Sequence, residues 1–521
     1  MTLEIYDTTL RDGSQQEGIS LTVNDKLRNA GLLDDLGVAF IEGGWPGAHQ
    51  KDTKFGERAK IELDLTTATL TAFGSTRRPK GDVDSDDQLR ALLDAETEYV
   101  CIVGKTWDYH VSAVLRVDLD EGMRMVGESI EFLKGHGRRV FFDAEHFFNG
   151  YEANPGFALD VLRVAHEAGA ERLVLCDTNG GTLPAATNDV IAEVQGAFAD
   201  VSLGVHYHND VGTAVAASIA AVEAGVTQVQ GCINGYGERT GNADLSTLIP
   251  DLQLKKGLRP IEGDLGLLTP ISHHIAEIVN ISLDPHRPYV GTSAFTHKAG
   301  LHTSALARRS DAYEHEKPDQ VGNQTRMVVS ELGGKASVLA KVEEMGLEVD
   351  QAGAAAIVDR VKELEHDGYH FEAADGSFEL LVRGLGGWSN PFFDLEAFRV
   401  QSDFRSDQGI VSEATLELVV DGSRRVTAGE GVGPVHALDQ ALRAALRDRY
   451  PEIDDLRLTD YRVRVLDSQD GTSARVRVLI ETANRVSSWG TIGVHENIIE
   501  ASWHALADGL VVGLLRHGIE A

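Results

Sequence analysis

Val201-Ser202-Leu203-Gly204-Val205-His206-Tyr207-His208-Asn209-Asp210 reads as a strand that ends on two histidines. Side chains alternate along an extended segment, so His206 and His208 face one way and two imidazoles on one face can share a metal ion. A distant stretch, Leu3-Glu4-Ile5-Tyr6-Asp7-Thr8-Thr9-Leu10-Arg11-Asp12-Gly13, has the same build, with a strand-like start and a polar end. Barrel enzymes keep their chemistry at the C-terminal ends of strands. An aspartate from this second stretch would complete a mixed nitrogen and oxygen site.

Outward from these two segments, the first 260 or so residues repeat one unit. Strand patterns at Leu3–Tyr6, Val38–Glu42, Leu70–Phe73, Tyr99–Val103, Arg139–Phe142, Arg172–Cys176, Ser202–His206 and Gln228–Cys232 alternate with amphipathic stretches such as Asn24–Leu36, Met123–Lys134, Pro155–Ala168 and Thr213–Ala224. Eight unbroken strand and helix pairs predict an α/β chain with a closed (β/α)8 TIM barrel over residues 1–265. Residues 266–390 read as mostly helical linker subdomains, with Lys335–Met345 and Asp350–Leu364 the clearest helices. The glycine-rich stretch Gly384–Pro391 marks the next boundary. Residues 391–521 then show two similar units of strands followed by a helix, a duplicated α+β domain.

The chain has 521 residues, long enough for two or three domains, and is 42% hydrophobic and 25% charged. No apolar run suggests a membrane span, and Asp7, Arg11 and Asp12 fall where a signal peptide would need an apolar segment. A cytoplasmic protein with no membrane partner is expected. The formal net charge of -33 argues against a nucleic-acid partner, because phosphate binding needs a basic surface. Cys101, Cys176 and Cys232 are too few and scattered for a disulfide framework or thiolate site, and each reads as a strand residue.

The polar residues gather after the strands. Arg11-Asp12, Glu42-Gly43-Gly44, Asp143-Ala144-Glu145-His146, Asp177-Thr178-Asn179-Gly180, the two histidines and Asn234–Asn242 follow strands one, two, five, six, seven and eight. Each has a plain structural alternative: an Asx turn at Asp177, half-buried strand histidines, a solvated Glu145, a flexible glycine connection before Asn242. Their joint occurrence on one rim is hard to explain as a stability feature.

Asp7–Gly13, His206–Asp210 and Gly237-Glu238-Arg239-Thr240-Gly241-Asn242 together resemble the metal-dependent acyl-CoA condensing barrels. That family includes isopropylmalate, homocitrate and citramalate synthases and, more distantly, hydroxymethylglutaryl-CoA lyase. The resemblance continues through Gly300-Leu301-His302, Tyr313-Glu314-His315, Val321-Gly322-Asn323 and Ser330–Gly334 and covers nearly the whole chain. Phe141–Tyr151 is similar to the citramalate branch, where isopropylmalate synthases usually carry Ser-Pro-Glu.

The resemblance implies that Asp12, His206, His208 and Asn242 are metal ligands for Mg, Mn or Zn. It implies that Arg11 stabilises an alkoxide, that Thr178 contacts a substrate carboxylate, and that Glu145 is the base, or positions the base, for acetyl-CoA. His302 and Tyr313 would reach the site from the partner subunit of a homodimer. The implied reaction is condensation of acetyl-CoA with pyruvate and thioester hydrolysis, in isoleucine biosynthesis. Alternatives are an isopropylmalate synthase using 2-oxoisovalerate for leucine biosynthesis, a retro-aldol acyl-CoA lyase, or a non-catalytic metabolite-binding protein. Residues 391–521 resemble the family's regulatory domain, which implies isoleucine as feedback effector. Gly433, Asp439 and Gly493 are the candidate regulatory residues, with helix N-termini after the two glycines offering free N–H groups to a carboxylate.

Overall fold

The computed structural model describes residues 3–198, 200–298, 302, 305–306, 308–328, 335–406, 409–466 and 474–519. They form two compact units, Met1–Phe295 with Glu316–Gln324, and Thr296–His315 with Thr325–Ala521. Gly300, Leu301 and Ser330–Gly334 lie outside the described residues.

In the first unit β1 (Glu4–Asp7), β2 (Phe40–Gly44), β3 (Thr69–Ser75), β4 (Tyr99–Lys105), β5 (Arg139–Glu145), β6 (Arg172–Asp177), β7 (Leu203–Tyr207) and β8 (Gln228–Gly231) pair in order. β1 also pairs in parallel with β8, from Glu4 opposite Gln228 to Asp7 opposite Gly231, and this closes the barrel. All eight expected strands are present.

Their ends correct the sequence reading in one respect. Gly43, Gly44, Asp143–Glu145 and Asp177 lie inside strands rather than after them. The inner face of a barrel accepts polar residues that bond to one another, whereas a pattern reading stops a strand at its first charge. Cys232 follows β8 instead of belonging to it, bridged to Asp244.

Alternation gives each strand two jobs. In β6, Leu173 and Leu175 join the main apolar cluster shared with the surrounding helices. On other strands Tyr6, Phe40, Phe73, Tyr99, Cys101 and Phe141 form a separate cluster, with the Phe40 and Phe141 rings edge to face at 5.1 Å. These side chains fill the barrel, so the rim above is the floor of a cavity and not the mouth of a pore. The helix Val23–Leu36 starts with a capping box between Thr22 and Asp25 and stops at Gly37, where φ is 84°. Helix Leu268–Val279 adds Leu268, Ile271 and Ile275 to the same core.

In the second unit β9 (Thr296–His297) pairs with β10 (Arg326–Met327). Helices Lys335–Glu344, Gln351–His366 and Asp375–Leu385 follow. Next come β11 (Asp394–Arg405), β12 (Gly409–Val420), β13 (Ser423–Gly431) and helix Pro434–Leu446, and then β14 (Arg457–Val465), β15 (Val476–Ala483), β16 (Ser488–His495) and helix Ile498–Arg516. Each set of three strands is an antiparallel sheet in chain order, so the duplication is real. Leu416, Leu418, Leu438, Leu442, Val478, Ile480, Trp489 and Leu510 share one core.

One expectation is corrected here. Gly493 does not precede a helix; it sits within β16, where a Cβ would stand 1.9 Å from the Ala501 carbonyl. Its counterpart is Gly429, where a Cβ would stand 2.6 Å from the Ala437 carbonyl, at the same distance in sequence from its helix start. Both glycines let a helix pack directly on a strand. The helix Ile498–Arg516 is apolar enough, by length and composition, to cross a membrane, but 61% of its apolar window is buried and Leu506, Leu510, Val512 and Leu514 belong to the core of this unit.

The outer edge of β16 is closed. Gly490 N–H donates to Asp375 Oδ1 at 2.9 Å and Ile492 N–H to Ser377 Oγ at 3.0 Å, both from the first turn of helix Asp375–Leu385. Ser377 in turn donates to Asp508 at 2.7 Å.

Candidate active site

Asp12, His206 and His208 converge at the C-terminal rim, all buried, with one ligand atom from each lying within 4.8 Å of the others. His206 ends the inward row of β7, His208 follows the strand, and their rings are 5.2 Å apart. Asn242 is brought beside His208 by an isolated bridge, and its Nδ2 faces Cys232 Sγ at 3.2 Å. Asp12 Oδ1, His208 Nδ1 and Asn242 Oδ1 are buried and have no hydrogen-bond partner among the described residues. Buried polar atoms are rarely left unbonded. A carboxylate and two imidazoles with ligand atoms this close, beside an unbonded amide oxygen, fit a divalent cation.

Arg11 is clamped. Its Nε bonds Glu42, its Nη1 lies 2.9 Å from Asp12 Oδ2, and its guanidinium carbon sits 3.8 Å from the Phe73 ring centroid. Tyr6 O–H donates to the other oxygen of Glu42 at 2.9 Å. Burial opposes the guanidinium charge, yet Glu42 and Asp12 outweigh it and hold the group above the ordinary arginine range. Burial also opposes ionisation of Asp12, but Arg11 and the two histidines bring its carboxyl below the usual value. Burial, with His206 nearby, lowers the His208 imidazole to about 4, so it is neutral and free to ligate. Glu42, Cys101 and Asp143 also lie together, but Glu42 is engaged by Tyr6 and Arg11 and Asp143 by Gln230.

A cavity of about 480 Å³ opens beside the triad, lined by Arg11, Asp12, His206 and His208 and by Lys105, Glu145 and Thr178. Glu145 pairs with Lys105, both about a quarter exposed, at 23% and 25%. Its carbonyl accepts from Thr106 Oγ1 at 2.7 Å. The next residue, His146, takes a left-handed φ of 57°, and its N–H donates to Thr178 Oγ1 at 2.9 Å. The Thr178 hydroxyl therefore accepts from the backbone and keeps its own proton to donate. Arg239 ties the glycine loop down, donating to Asp210 at 2.7 and 2.9 Å and to the Thr178 carbonyl at 2.8 Å. Gly241 cannot be replaced cheaply, because φ is +86° and a Cβ would stand 1.8 Å from the Gly235 carbonyl.

Of the remaining sequence candidates, His302 and Tyr313 lie in the second unit, stacked at 3.9 Å. Gly433 does cap helix Pro434–Leu446, while Asp439 is already paired with Arg443 at 2.8 Å inside that helix. Sequence reading missed Gln230 and Lys105. Gln228 and Gln230, two apart in a short strand, carried a signal: polar residues at period two face a barrel's interior.

Fold and site together define a barrel enzyme with a metal-capable centre at its rim. The chain belongs to the HMGL-like family, whose model matches residues 2–275. A homocitrate synthase post-HMGL domain-like model matches residues 289–368 and a LeuA allosteric (dimerisation) domain model residues 372–513. The (R)-citramalate synthase of Aquifex aeolicus is 49% identical over 98% of this chain and 98% of its own. That of Streptomyces coelicolor is 50% identical over 99% of this chain and 98% of its own. A probable 2-isopropylmalate synthase of Methanopyrus kandleri is 33% identical over 98% and 97%.

Proposed function

We infer that this protein is a citramalate synthase, condensing acetyl-CoA with pyruvate and hydrolysing the thioester. Full-length identity of 49–50% to (R)-citramalate synthases supports the reaction, and the buried Asp12, His206, His208 group with its unbonded oxygens supports the centre.

Asp12, His206, His208 and Asn242 would hold the divalent cation, Mg, Mn or Zn. When bound, such an ion polarises the carbonyl of a 2-oxo acid and fixes its orientation. Arg11 cannot swing away, because Glu42, Asp12 and Phe73 hold it, so its guanidinium meets the charge that develops on the former carbonyl oxygen without reorganising. Thr178 offers its free hydroxyl proton to the substrate carboxylate. Glu145, paired with Lys105 on the cavity wall, takes the proton from the acetyl methyl group or positions the base that does, since a weak carbon acid requires one.

His302 and Tyr313 would serve the site of the partner in a homodimer, and residues 391–521 would bind isoleucine as feedback effector. The allosteric and dimerisation description of the matched C-terminal model supports both.

The experiment is CoA-thiol release with Mg or Mn, comparing pyruvate, 2-oxobutanoate and 2-oxoisovalerate at matched concentrations. Pyruvate is expected to dominate. Preference for 2-oxoisovalerate would make the protein an isopropylmalate synthase, and silence with all three would overturn the condensing reading.

A further inference from the structure

We propose that Gln230, oriented by Asp143, is the positioning residue that presents Nε2 of His206 to the cation, so that metal affinity depends on a glutamine inside β8. This rests on reading Asp12, His206 and His208 as a metal centre.

A neutral imidazole carries one proton, and only the other nitrogen can ligate. His206 Nδ1 lies 2.9 Å from Gln230 Oε1, and the two residues are register partners on β7 and β8. An amide has an accepting end and a donating end, and its orientation is fixed by its other neighbour. Here that neighbour is Asp143 on β5, whose Oδ1 lies 3.0 Å from Gln230 Nε2. A carboxylate oxygen accepts, so the NH2 must face Asp143 and the amide oxygen must face His206. The His206 proton therefore sits on Nδ1, and the lone pair of Nε2 faces Asp12 Oδ2, 3.7 Å away.

Burial makes this orientation binding. Asp143 is 3% exposed, Gln230 0% and His206 4%, so the bonds among them are sheltered from competition by bulk water. Nothing about packing asks for a glutamine and a carboxylate there, since apolar side chains of similar volume fill a core at no loss of stability. The second imidazole differs: His208 Nδ1 has no hydrogen-bond partner among the described residues. One imidazole is preset by the barrel, and the other takes its orientation from the ion.

The test is calorimetric titration of Mn2+ into the metal-free full-length protein, with thermal unfolding of the same samples without metal. Outer-shell partners of ligating histidines typically set 10–100-fold in affinity. Gln230→Leu is expected to weaken Mn2+ binding about 10-fold or more with unchanged metal-free unfolding, and Gln230→Glu, which still accepts from Nδ1, to stay within about threefold of wild type. Asp143→Ala, which lets the amide turn, is expected to fall between them. Wild-type affinity in either Gln230→Leu or Asp143→Ala would overturn the proposal. So would a loss in Gln230→Glu as large as that in Gln230→Leu, since that would make the site intolerant of any change in shape. If Gln230→Leu does not fold, Asp143→Ala against Gln230→Glu decides. Mn2+ binding that survives Asp12→Ala would instead sink the metal centre itself.

Discussion

At the top of the barrel, Asp12, Glu42, Asp143, His206, His208 and Asn242 are all buried, and three of their polar atoms have no partner among the described residues. In the second unit, the core between the two sheets and their helices is mostly apolar, with Leu416, Leu418, Leu442, Ile480, Trp489 and Leu510; the Trp489 indole N–H donates to the Gly509 carbonyl at 3.0 Å, and the Tyr450 hydroxyl has no partner among the described residues. The first arrangement positions charge at a cost in stability. The second packs to the limit, to the point that single glycines admit the helices. Activity and stability should therefore respond to substitution in opposite places.

The largest separation is expected from Asp12→Ala. Turnover with pyruvate and acetyl-CoA should fall by at least about a thousandfold, while the protein still folds with at most a modest loss of thermal stability, because Arg11 keeps its pair with Glu42 when Asp12 is removed. A CoA-thiol assay beside a melting curve reads both, and a parallel loss of the two would erase the contrast. Gly493→Ala should do the reverse. Its Cβ would meet the Ala501 carbonyl, an overpacking that costs about 1–3 kcal/mol, while turnover of the remaining folded protein stays near wild type. Gly429→Ala sharpens the point, since equivalent glycines in the two halves should cost similar amounts, and a harmless Gly429→Ala would break the equivalence.

A smaller effect concerns Asp7. Burial raises its carboxyl to about 7 despite bonds from Thr9, whereas an unfolded aspartate titrates near 3.9. The folded state holds the proton more tightly, so this contribution to stability is complete below about pH 4 and is lost as pH rises through 7. Asp7→Asn should flatten the stability curve across that window, and denaturant unfolding at pH 4, 6 and 8 would show it. The smallest effect is chemical. Cys101, Cys176 and Cys232 are buried with thiols pushed well above the ordinary range, so native protein should resist alkylation and keep its turnover. Rapid labelling of Cys176, the one on the cavity wall, would show the rim to be looser than described.

The sequence made the barrel legible because parallel strands buried on both faces leave apolar runs at regular intervals. It also made Asp12, His206, His208, Asn242, Arg11, Thr178 and Glu145 legible as one rim. It did not show where strands ended, since Asp143 and Glu145 are charged and yet paired within β5. Gln230 escapes because its spacing from Gln228 marks only an inward-facing polar pair, and its bonds to His206 and Asp143 are known only once the neighbours across the barrel are placed. Gly493 passes for a helix start because a glycine shortly before a helix reads as a cap, and only the distance to Ala501 shows that it serves packing. Nothing in the pattern distinguishes those two uses.

The side chains of Asp375 and Ser377 on the edge of β16 bear on how copies of this chain can join. A sheet grows by offering unpaired N–H and C=O groups to a new strand. With the Gly490 and Ile492 donors taken, the second sheet cannot be extended from β16, and any strand added by another molecule must approach elsewhere. Two short side chains thus shield one edge of this sheet from strand addition.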